Sequence, residues 1–593
     1  MNPATLFAEV FVDELTRLPL SGVVVCPGSR STPLAVAFSR QKRVPVYVHL
    51  DERSAAYFAL GLALETRRPA AIVTTSGTAT ANLHPAVLEA DRAGVPLLLL
   101  TADRPPELRD SGANQTADQI KLYGTAVRWY LELPLPEPSP AGRTLRQLRA
   151  TADRAVAAAQ GLLGRPGPVH LNFPFRKPLE PSPDDPTARE QWRTQHPLGA
   201  QGREGTRPLT TITLPPRVPT TSQLASLADR IRACPKGLIT AGPRAAPNAL
   251  TAQRLIQLAQ QTAYPLLADA LSGLRFGGLP SDGLLATYPH FLAAGLPATS
   301  QPCLVLHLGA APTSNALLHY LETLPASTEM IAISPEPAWA APGFRLSQWL
   351  VGDPEATLAL LLETLPRRAP AARPWLACWQ AAERLTRDLL QQSPRTEGAL
   401  LAEIVEALPP ETRLVVGNSL PVRHLDEYAL PTTKPLRLYA NRGVSGIDGV
   451  VSTAAGVAAA SPRPTVLVLG DLSLLHDLGG LLAIQRFGLD NFHIVVLNND
   501  GGGIFARLPI AQHEPPFTAM FRTPHGLNFA PAAEMYGLRY ASGSAQALTP
   551  ALQTALAQAT PHLIEIHTDA QKHETARQNL LARLTKLAQT QSC

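Results

Sequence analysis

Two short segments carry the residue types of a metal and phosphate site. PTVLVLGD reads as a buried strand ending in Gly470-Asp471, where a helix begins. A carboxylate there can recruit a hard divalent ion such as Mg²⁺, which prefers oxygen ligands and phosphate oxygens, and a helix start already favours anions. Asn499 follows Asp471 by 28 residues, at the end of a second apolar run, FHIVVLNN, and opens into Asp500-Gly501-Gly502-Gly503. Its amide oxygen is a neutral hard ligand, and the glycines let backbone carbonyls approach a bound group closely. If the two runs are neighbouring parallel strands, Asp471, Asn499 and the Gly501 carbonyl surround one ion and leave positions for phosphate oxygens and water. Each segment alone also reads as a helix cap or a flexible turn. Their placement at the ends of consecutive strands favours the site.

A second set of polar residues follows apolar runs near the N-terminus. Cys26-Pro27-Gly28-Ser29-Arg30-Ser31-Thr32-Pro33 is either a carboxylate or phosphate cradle or a capped helix start with Pro33 in its first turn. Glu52, in His49-Leu50-Asp51-Glu52-Arg53-Ser54, stands where a strand gives way to the helical AAYFALGLALE. An exposed Glu there would do no more than complement the helix dipole. Thr74–Asn82, Thr101–Pro106 and Gly112-Ala113-Asn114-Gln115 complete the set. Five polar loops at one sheet edge exceed what helix capping requires.

The elements that must position these loops are legible as an α/β pattern. From 1 to 185, GVVVCPG, VPVYVHL, AAIVTTSG, VPLLLLTAD and PGPVHLNFP alternate with Ala/Leu-rich helical stretches. Strands separated by helices imply parallel βαβ units with functional loops at the strand C-termini. Residues 186–219 are polar and Pro-rich and read as a linker; 220–365 form a second α/β block with strands at GLITAG, YPLLAD, CLVLHLG and EMIAIS. Residues 366–394, opening on PRRAPAARPW, read as another linker, and 395–593 repeat the pattern with RLVVGNS, PTVLVLGD, FHIVVLNN and HLIEIH. Three consecutive open parallel sheets result, each expected to bind at its strand C-termini where the connections cross.

Composition narrows the function classes. With 45% hydrophobic and 17% charged residues the chain is globular, and its net charge of +5 without a basic run argues against nucleic acid. That mild positive balance suits small acidic substrates. MNPATLFAEVFVDEL reads as an amphipathic helix rather than a signal peptide, and runs such as Val95–Leu100 are far too short to span a bilayer. Cys26, Cys234, Cys303, Cys378 and Cys593 have neither metal nor redox spacing, so free thiols in a reduced compartment are expected. A cytoplasmic enzyme, or a plastid one after loss of a transit peptide, is the expectation. No GxGxxG follows a first strand, which sets aside a dinucleotide oxidoreductase.

Taken together these motifs resemble thiamine diphosphate-dependent enzymes along nearly the whole chain. The resemblance implies a pyrimidine-binding domain at 1–185, a central domain and a diphosphate-binding domain at 395–593, with Gly470-Asp471 and Asn498-Asn499 as the metal signature. It casts Glu52 as the activating glutamate, whose hydrogen bond to the aminopyrimidine ring favours the tautomer that deprotonates thiazolium C2. Another thiamine diphosphate decarboxylase or synthase would share Glu52 and the metal site but differ in its arginines; an idle scaffold would need neither.

A closer resemblance is to the menaquinone and phylloquinone pathway synthases that make 2-succinyl-5-enolpyruvyl-6-hydroxy-3-cyclohexene-1-carboxylate (SEPHCHC). It is carried by PGSRSTPLA, DERSAAYFALGLA, TSGTATANLHPAVLEA, LTADRPPELRDSGANQ, VGNSLPVRHLDEY, NRGVSGIDGVVSTAAGVA, GDLSLLHDLGGLL and NNDGGGIF. The implied transferase decarboxylates 2-oxoglutarate and adds the succinyl carbanion equivalent to isochorismate by 1,4-addition, releasing CO₂. Both substrates are dicarboxylates, and the match supplies Arg30, Arg104, Arg423 and Arg442, with Ser29, Asn114, Gln115 and Ser419 adding hydrogen bonds. Arg30 and Gln115 join Glu52 as implied catalytic residues. Thr78, Ile447, Leu472, Ser473, Ile504, Phe505 and Leu508 are implied to face the cofactor, Ile447 propping its bent form, while Asp471, Asn499 and Gly501 hold Mg²⁺ or Mn²⁺. After LVLHLG the family pattern places a Lys; here the stretch is Pro312–Ala316, with Asn315 in that place and Arg275 as a candidate substitute. The resemblance further implies active sites shared between subunits of a homodimer or homotetramer, with Glu52 of one copy serving another.

Overall fold

A computed structural model describes residues 2–182, 186–280, 283–295, 301–366 and 373–590. The α/β expectation holds: three six-stranded sheets form, and every strand pairing within them is parallel. The first contains β1 (Gly22–Val25), β2 (Val46–Val48), β3 (Ala70–Thr74), β4 (Leu97–Asp103), β5 (Trp129–Glu132) and β6 (Pro168–Pro174), in the order β2-β1-β3-β4-β6-β5. The second contains β7 (Gly237–Ala241), β8 (Leu266–Ala268), β9 (Leu284–Leu285), β10 (Leu304–Leu308), β11 (Glu329–Ser334) and β12 (Gln348–Val351), ordered β12-β11-β10-β7-β8-β9. The third contains β13 (Arg413–Val416), β14 (Arg437–Tyr439), β15 (Thr465–Gly470), β16 (Phe492–Asn498), β17 (Arg539–Gly543) and β18 (His562–His567), ordered β14-β13-β15-β16-β18-β17. Central strands such as β3, β4 and β16 are buried along their whole length, which explains their unbroken apolar runs.

Two compact units enclose these sheets. One comprises Met1–Leu214, Asn441–Pro462 and His476–Asp490 and holds the first sheet; the other comprises Pro215–Ala440, Arg463–Leu475 and Asn491–Cys593 and holds the second and third. The first unit thus takes in a segment well outside the N-terminal block. Its basis is close helix packing: a Cβ on Gly61 would fall 2.0 Å from the Thr453 carbonyl oxygen, and one on Gly456 would fall 2.1 Å from that of Phe58. Glycine at both positions lets helices Glu52–Thr66 and Val450–Ala459 approach backbone to backbone.

The expected N-terminal helix spans Pro3–Leu15, capped by the Asn2 side chain, and buries most of its length. Both stretches read as linkers contain helix, at Pro186–Gln195 and Arg373–Gln391. The free-thiol expectation is corrected at one pair. Cys234 and Cys303, 69 residues apart, form a disulfide with a Cα–Cα distance of 6.0 Å. Cys303 directly precedes β10 and Cys234 stands two intervening residues before β7, and the pairing of these strands sets Gly237 beside Leu304, so the juxtaposition comes from sheet order and leaves no trace in the spacing. Cys26 and Cys378 are buried and form no disulfide, as expected.

Candidate active site

In the third sheet, Gly470 of β15 lies opposite Leu497 of β16, so Asp471 and Asn499 emerge together at the strand C-termini. Both are buried. Asp471 Oδ1 accepts the Leu472 N–H at 2.6 Å and Oδ2 accepts the Gly501 N–H at 2.9 Å. Asn499 Nδ2 donates to Glu397 Oε1 at 3.0 Å, while Asn499 Oδ1 is buried with no hydrogen-bond partner. An orphaned buried oxygen beside a buried carboxylate suits a cation, because leaving such an acceptor unpaired is costly.

The loop after Asn499 is shaped for close approach. Gly501 has φ +127°, and a Cβ there would fall 2.0 Å from the Arg522 carbonyl oxygen, so no other residue fits. Arg522 Nη2 donates to the Asn499 carbonyl at 2.7 Å, and the Gly501 carbonyl accepts the Gly503 N–H at 2.9 Å, leaving it one lone pair. Asp500 faces away, accepting the His525 and Gly526 N–H groups, chiefly the latter, which hold its carboxyl below the usual range. His525 Nε2 lies 3.3 Å from Asp471 Oδ2. Among the described residues no group of three or more His, Cys, Asp or Glu could hold a metal. One carboxylate and neutral oxygens therefore fit Mg²⁺ or Mn²⁺ only with an anionic co-ligand such as a diphosphate.

The remaining candidates of this unit lie close by in sequence. Leu472 and Ser473 are in the short helix Asp471–His476. Ile504 and Phe505 are in the turn Gly503–Arg507, with the Phe505 ring 5.5 Å from Phe521 in an edge-on contact, and Leu508 follows it, exposed. At the end of β13, Ser419 has φ +68°, and its carbonyl accepts Arg423 Nη1 at 2.6 Å.

In the first unit the loops after β1, β3 and β4 gather around buried cations. Arg30 and Arg104 are nearly inaccessible. Arg30 Nη1 donates to the Phe175 carbonyl at 2.7 Å while its Nε has no partner, and Arg104 Nη1 donates to Ser76 Oγ. Burial lowers both pKa values, and for Arg30 the neighbouring Arg104 charge adds to the effect, with Asp103 opposing. Two covered guanidiniums near one carboxylate make a place for a further anion. Gln115, at φ +54°, bonds Ser76 through Nε2 and through its own carbonyl. Ser29, Thr78, Asn114 and Gln115 are exposed.

Glu52 is the first residue of helix Glu52–Thr66, yet it does not cap it. Asp51 does, accepting the Ser54 N–H at 3.0 Å. Glu52 is half-buried and its carboxylate makes no hydrogen bond among the described residues, which leaves it available to a ligand nitrogen. Its charge, second to burial, raises the pKa of the buried Cys26 thiol, so that cysteine is no nucleophile. Arg442 and Ile447, both half-buried, belong to this unit. Their loop is held by Glu89, which accepts the Gly443 and Val444 N–H groups, and by Tyr57, which donates to Asp448 at 2.9 Å.

Several positioning residues escaped sequence reasoning. Gln119 accepts the Gly77 N–H at 2.9 Å and donates to the Ala102 carbonyl and Asn172 Oδ1, tying the β3 loop to β4 and β6. Its only signal was a Gln a turn after Gln115. Arg275 is removed as a substitute for the expected Lys. It is wholly buried, and its guanidinium donates to the Ala268, Asp426, Ala429 and Ala286 carbonyls and to Asp426 Oδ1. Asn315 opens helix Asn315–Thr323, capped by Ser314. The second sheet also departs from the expectation of a ligand crevice where its connections diverge, between β7 and β10. There the loops bond each other, Gly242 N–H to the Leu308 carbonyl and Ala310 N–H to the Pro243 carbonyl, each at 2.9 Å.

Residues 6–122 match the family described as the thiamine pyrophosphate enzyme N-terminal TPP binding domain, and 423–566 match its C-terminal TPP binding domain. A benzoylformate decarboxylase structure from Polynucleobacter necessarius superposes with a TM-score of 0.70 over 95% of this chain and 98% of its own, at 18% identity, and shows the shared fold. The class is a thiamine diphosphate-dependent enzyme. The 2-succinyl-5-enolpyruvyl-6-hydroxy-3-cyclohexene-1-carboxylate synthase of Halobacterium salinarum is 43% identical over 589 residues, 99% of each chain. That of Roseiflexus sp. is 45% identical over 597 residues, 99% of this chain and 98% of its own. The chain belongs to the SEPHCHC synthase family.

Proposed function

We propose that this chain decarboxylates 2-oxoglutarate and joins the resulting succinyl unit to isochorismate by 1,4-addition, giving SEPHCHC and CO₂. The observation that carries the reading is the buried pair Arg30 and Arg104, an anion site beside the loop of Gln115, in a chain similar end to end to SEPHCHC synthases. When bound, thiamine diphosphate supplies the carbon nucleophile and the electron sink. Asp471, Asn499 and the Gly501 carbonyl would hold Mg²⁺ or Mn²⁺ against its diphosphate, with Leu472, Ser473, Ile504, Phe505 and Leu508 beside it. Glu52 would hold a proton against a ring nitrogen of the cofactor, with Thr78 and Ile447 nearby. Arg30, Arg104, Arg423 and Arg442 would bind substrate carboxylates, and Ser29, Asn114, Gln115 and Ser419 would orient them.

The reading includes self-association as at least a homodimer in the cytoplasm, Glu52 of one copy serving the Asp471 segment of another. No helix among the described residues is long and apolar enough to cross a membrane. The test is an assay of purified protein with thiamine diphosphate, Mg²⁺ and 2-oxoglutarate, with and without isochorismate. CO₂ release that depends on isochorismate and consumes it is expected. Decarboxylation indifferent to isochorismate would overturn the substrate assignment and leave the cofactor intact.

A further inference from the structure

Asn499 carries an amide whose two ends have opposite character, and only the oxygen can ligate a cation. Its nitrogen end is held by Glu397, 102 residues away in sequence. Glu397 is the first residue of helix Glu397–Ala407, a position where an acid ordinarily complements the helix dipole from solvent. Here its side chain turns inward and is buried. Oε1 accepts Asn499 Nδ2 at 3.0 Å and Thr568 Oγ1 at 2.6 Å. Behind it, Arg507 Nη2 lies 3.3 Å from His424 Nε2. Arginine can only donate, so that nitrogen accepts and the His424 proton sits on Nδ1, 3.9 Å from Glu397 Oε2. Both groups hydrogen-bonded to this carboxylate are donors, while burial and, after it, the nearby Asp471 charge oppose its ionisation. Asn498, by contrast, has both ends engaged: Nδ2 donates to Glu565 Oε1 at 2.6 Å and Oδ1 accepts the Asp500 N–H at 3.0 Å. Of the two asparagines only Asn499 keeps an unpaired oxygen.

We propose that Glu397 is a positioning residue for the ion: as an acceptor-only carboxylate it fixes the Asn499 amide with Nδ2 turned inward, so that Oδ1 is the atom offered to the cation. This rests on the reading of Asp471 and Asn499 as metal ligands. A carboxamide at 397 presents both a donor and an acceptor and removes the orientational constraint while keeping the shape.

The experiment titrates Mn²⁺ into full-length protein saturated with thiamine diphosphate and follows free Mn²⁺ by its paramagnetic resonance signal. Glu397→Gln is expected to raise the Mn²⁺ dissociation constant about 10–100-fold, the usual range for partners that orient a metal ligand, with little change in the melting temperature of the metal-free protein. In an Asn499→Ala background the same substitution should add less than about twofold, because its effect passes through the amide. The reciprocal swap Glu397→Gln/Asn499→Asp restores one donor facing one carboxylate and should bind Mn²⁺ more tightly than Asn499→Asp alone. Unchanged affinity in Glu397→Gln, or an undiminished loss in the Asn499→Ala background, overturns the proposal. Unchanged Mn²⁺ affinity in Asp471→Ala would instead overturn the metal site itself.

Discussion

In the first sheet the loops after β1 and β4 bring two guanidiniums under cover, whereas in the third the loops after β15 and β16 bring a carboxylate and an amide oxygen. The two sheets share one strand order: each places its first strand between its second and third, with the fourth, sixth and fifth beyond. Connections therefore diverge on either side of β1 in one and β13 in the other, opening a crevice at the strand C-termini. The frame is the same and the ligand chemistry opposite. One loop set gathers guanidiniums and the other a carboxylate and an amide oxygen, so fold supplies the place and the residues just past each strand supply the chemical character. The second sheet has a different order and fills its own crevice with loop-to-loop backbone hydrogen bonds. That arrangement suits a spacer domain better than a binding one.

Substitutions can break or sharpen this contrast. Glu52→Gln removes the acid from the first unit without touching the cation loops, and turnover should fall by about 10²–10⁴-fold while cofactor binding persists. Steady-state kinetics with a parallel binding titration checks this, and near-normal turnover removes Glu52 from the chemistry. Arg275→Ala should behave oppositely. Breaking its fully buried pair with Asp426 should cost about 3–5 kcal/mol in denaturant unfolding and leave the Michaelis constants of the surviving protein unchanged. A rise in KM at undiminished stability would return Arg275 to the substrate site. Arg30→Ala should raise the KM for an acidic substrate about 10–100-fold, the worth of one charge-assisted hydrogen bond. Unchanged KM values for both acids would leave the covered guanidiniums without their assigned anion.

The contrast between loops was largely legible in sequence, because each candidate residue lies at most one residue past an apolar run: Arg30 after GVVVCPG and Ser29, Asp471 after PTVLVLG, Asn499 after FHIVVLN. Most sheet edges were not, the edge strand β2 within VPVYVHL being the exception. The unanticipated strands β5, β9, β12, β14 and β17 are all edge or outermost strands, two to five residues long, and most are only partly buried. An edge strand covered on fewer sides needs no continuous apolar run, so these five left no pattern. Glu397 and Gln119 were invisible for another reason. A Thr-Glu-Gly at a helix start is common capping chemistry, and nothing local says that its carboxylate turns inward to meet Asn499. Long-range polar contacts depend on how sheets and helices come together, as does the Cys234–Cys303 pairing.

The most direct test of the division between anion loops and cation loops is calorimetric titration of thiamine diphosphate with Mg²⁺ into Asp471→Ala and Arg30→Ala. Asp471→Ala should weaken binding by at least about a hundredfold, since it removes the ion's one carboxylate ligand, while Arg30→Ala should bind as the unaltered protein does. Equal losses in the two variants, or a loss confined to Arg30→Ala, would contradict the account.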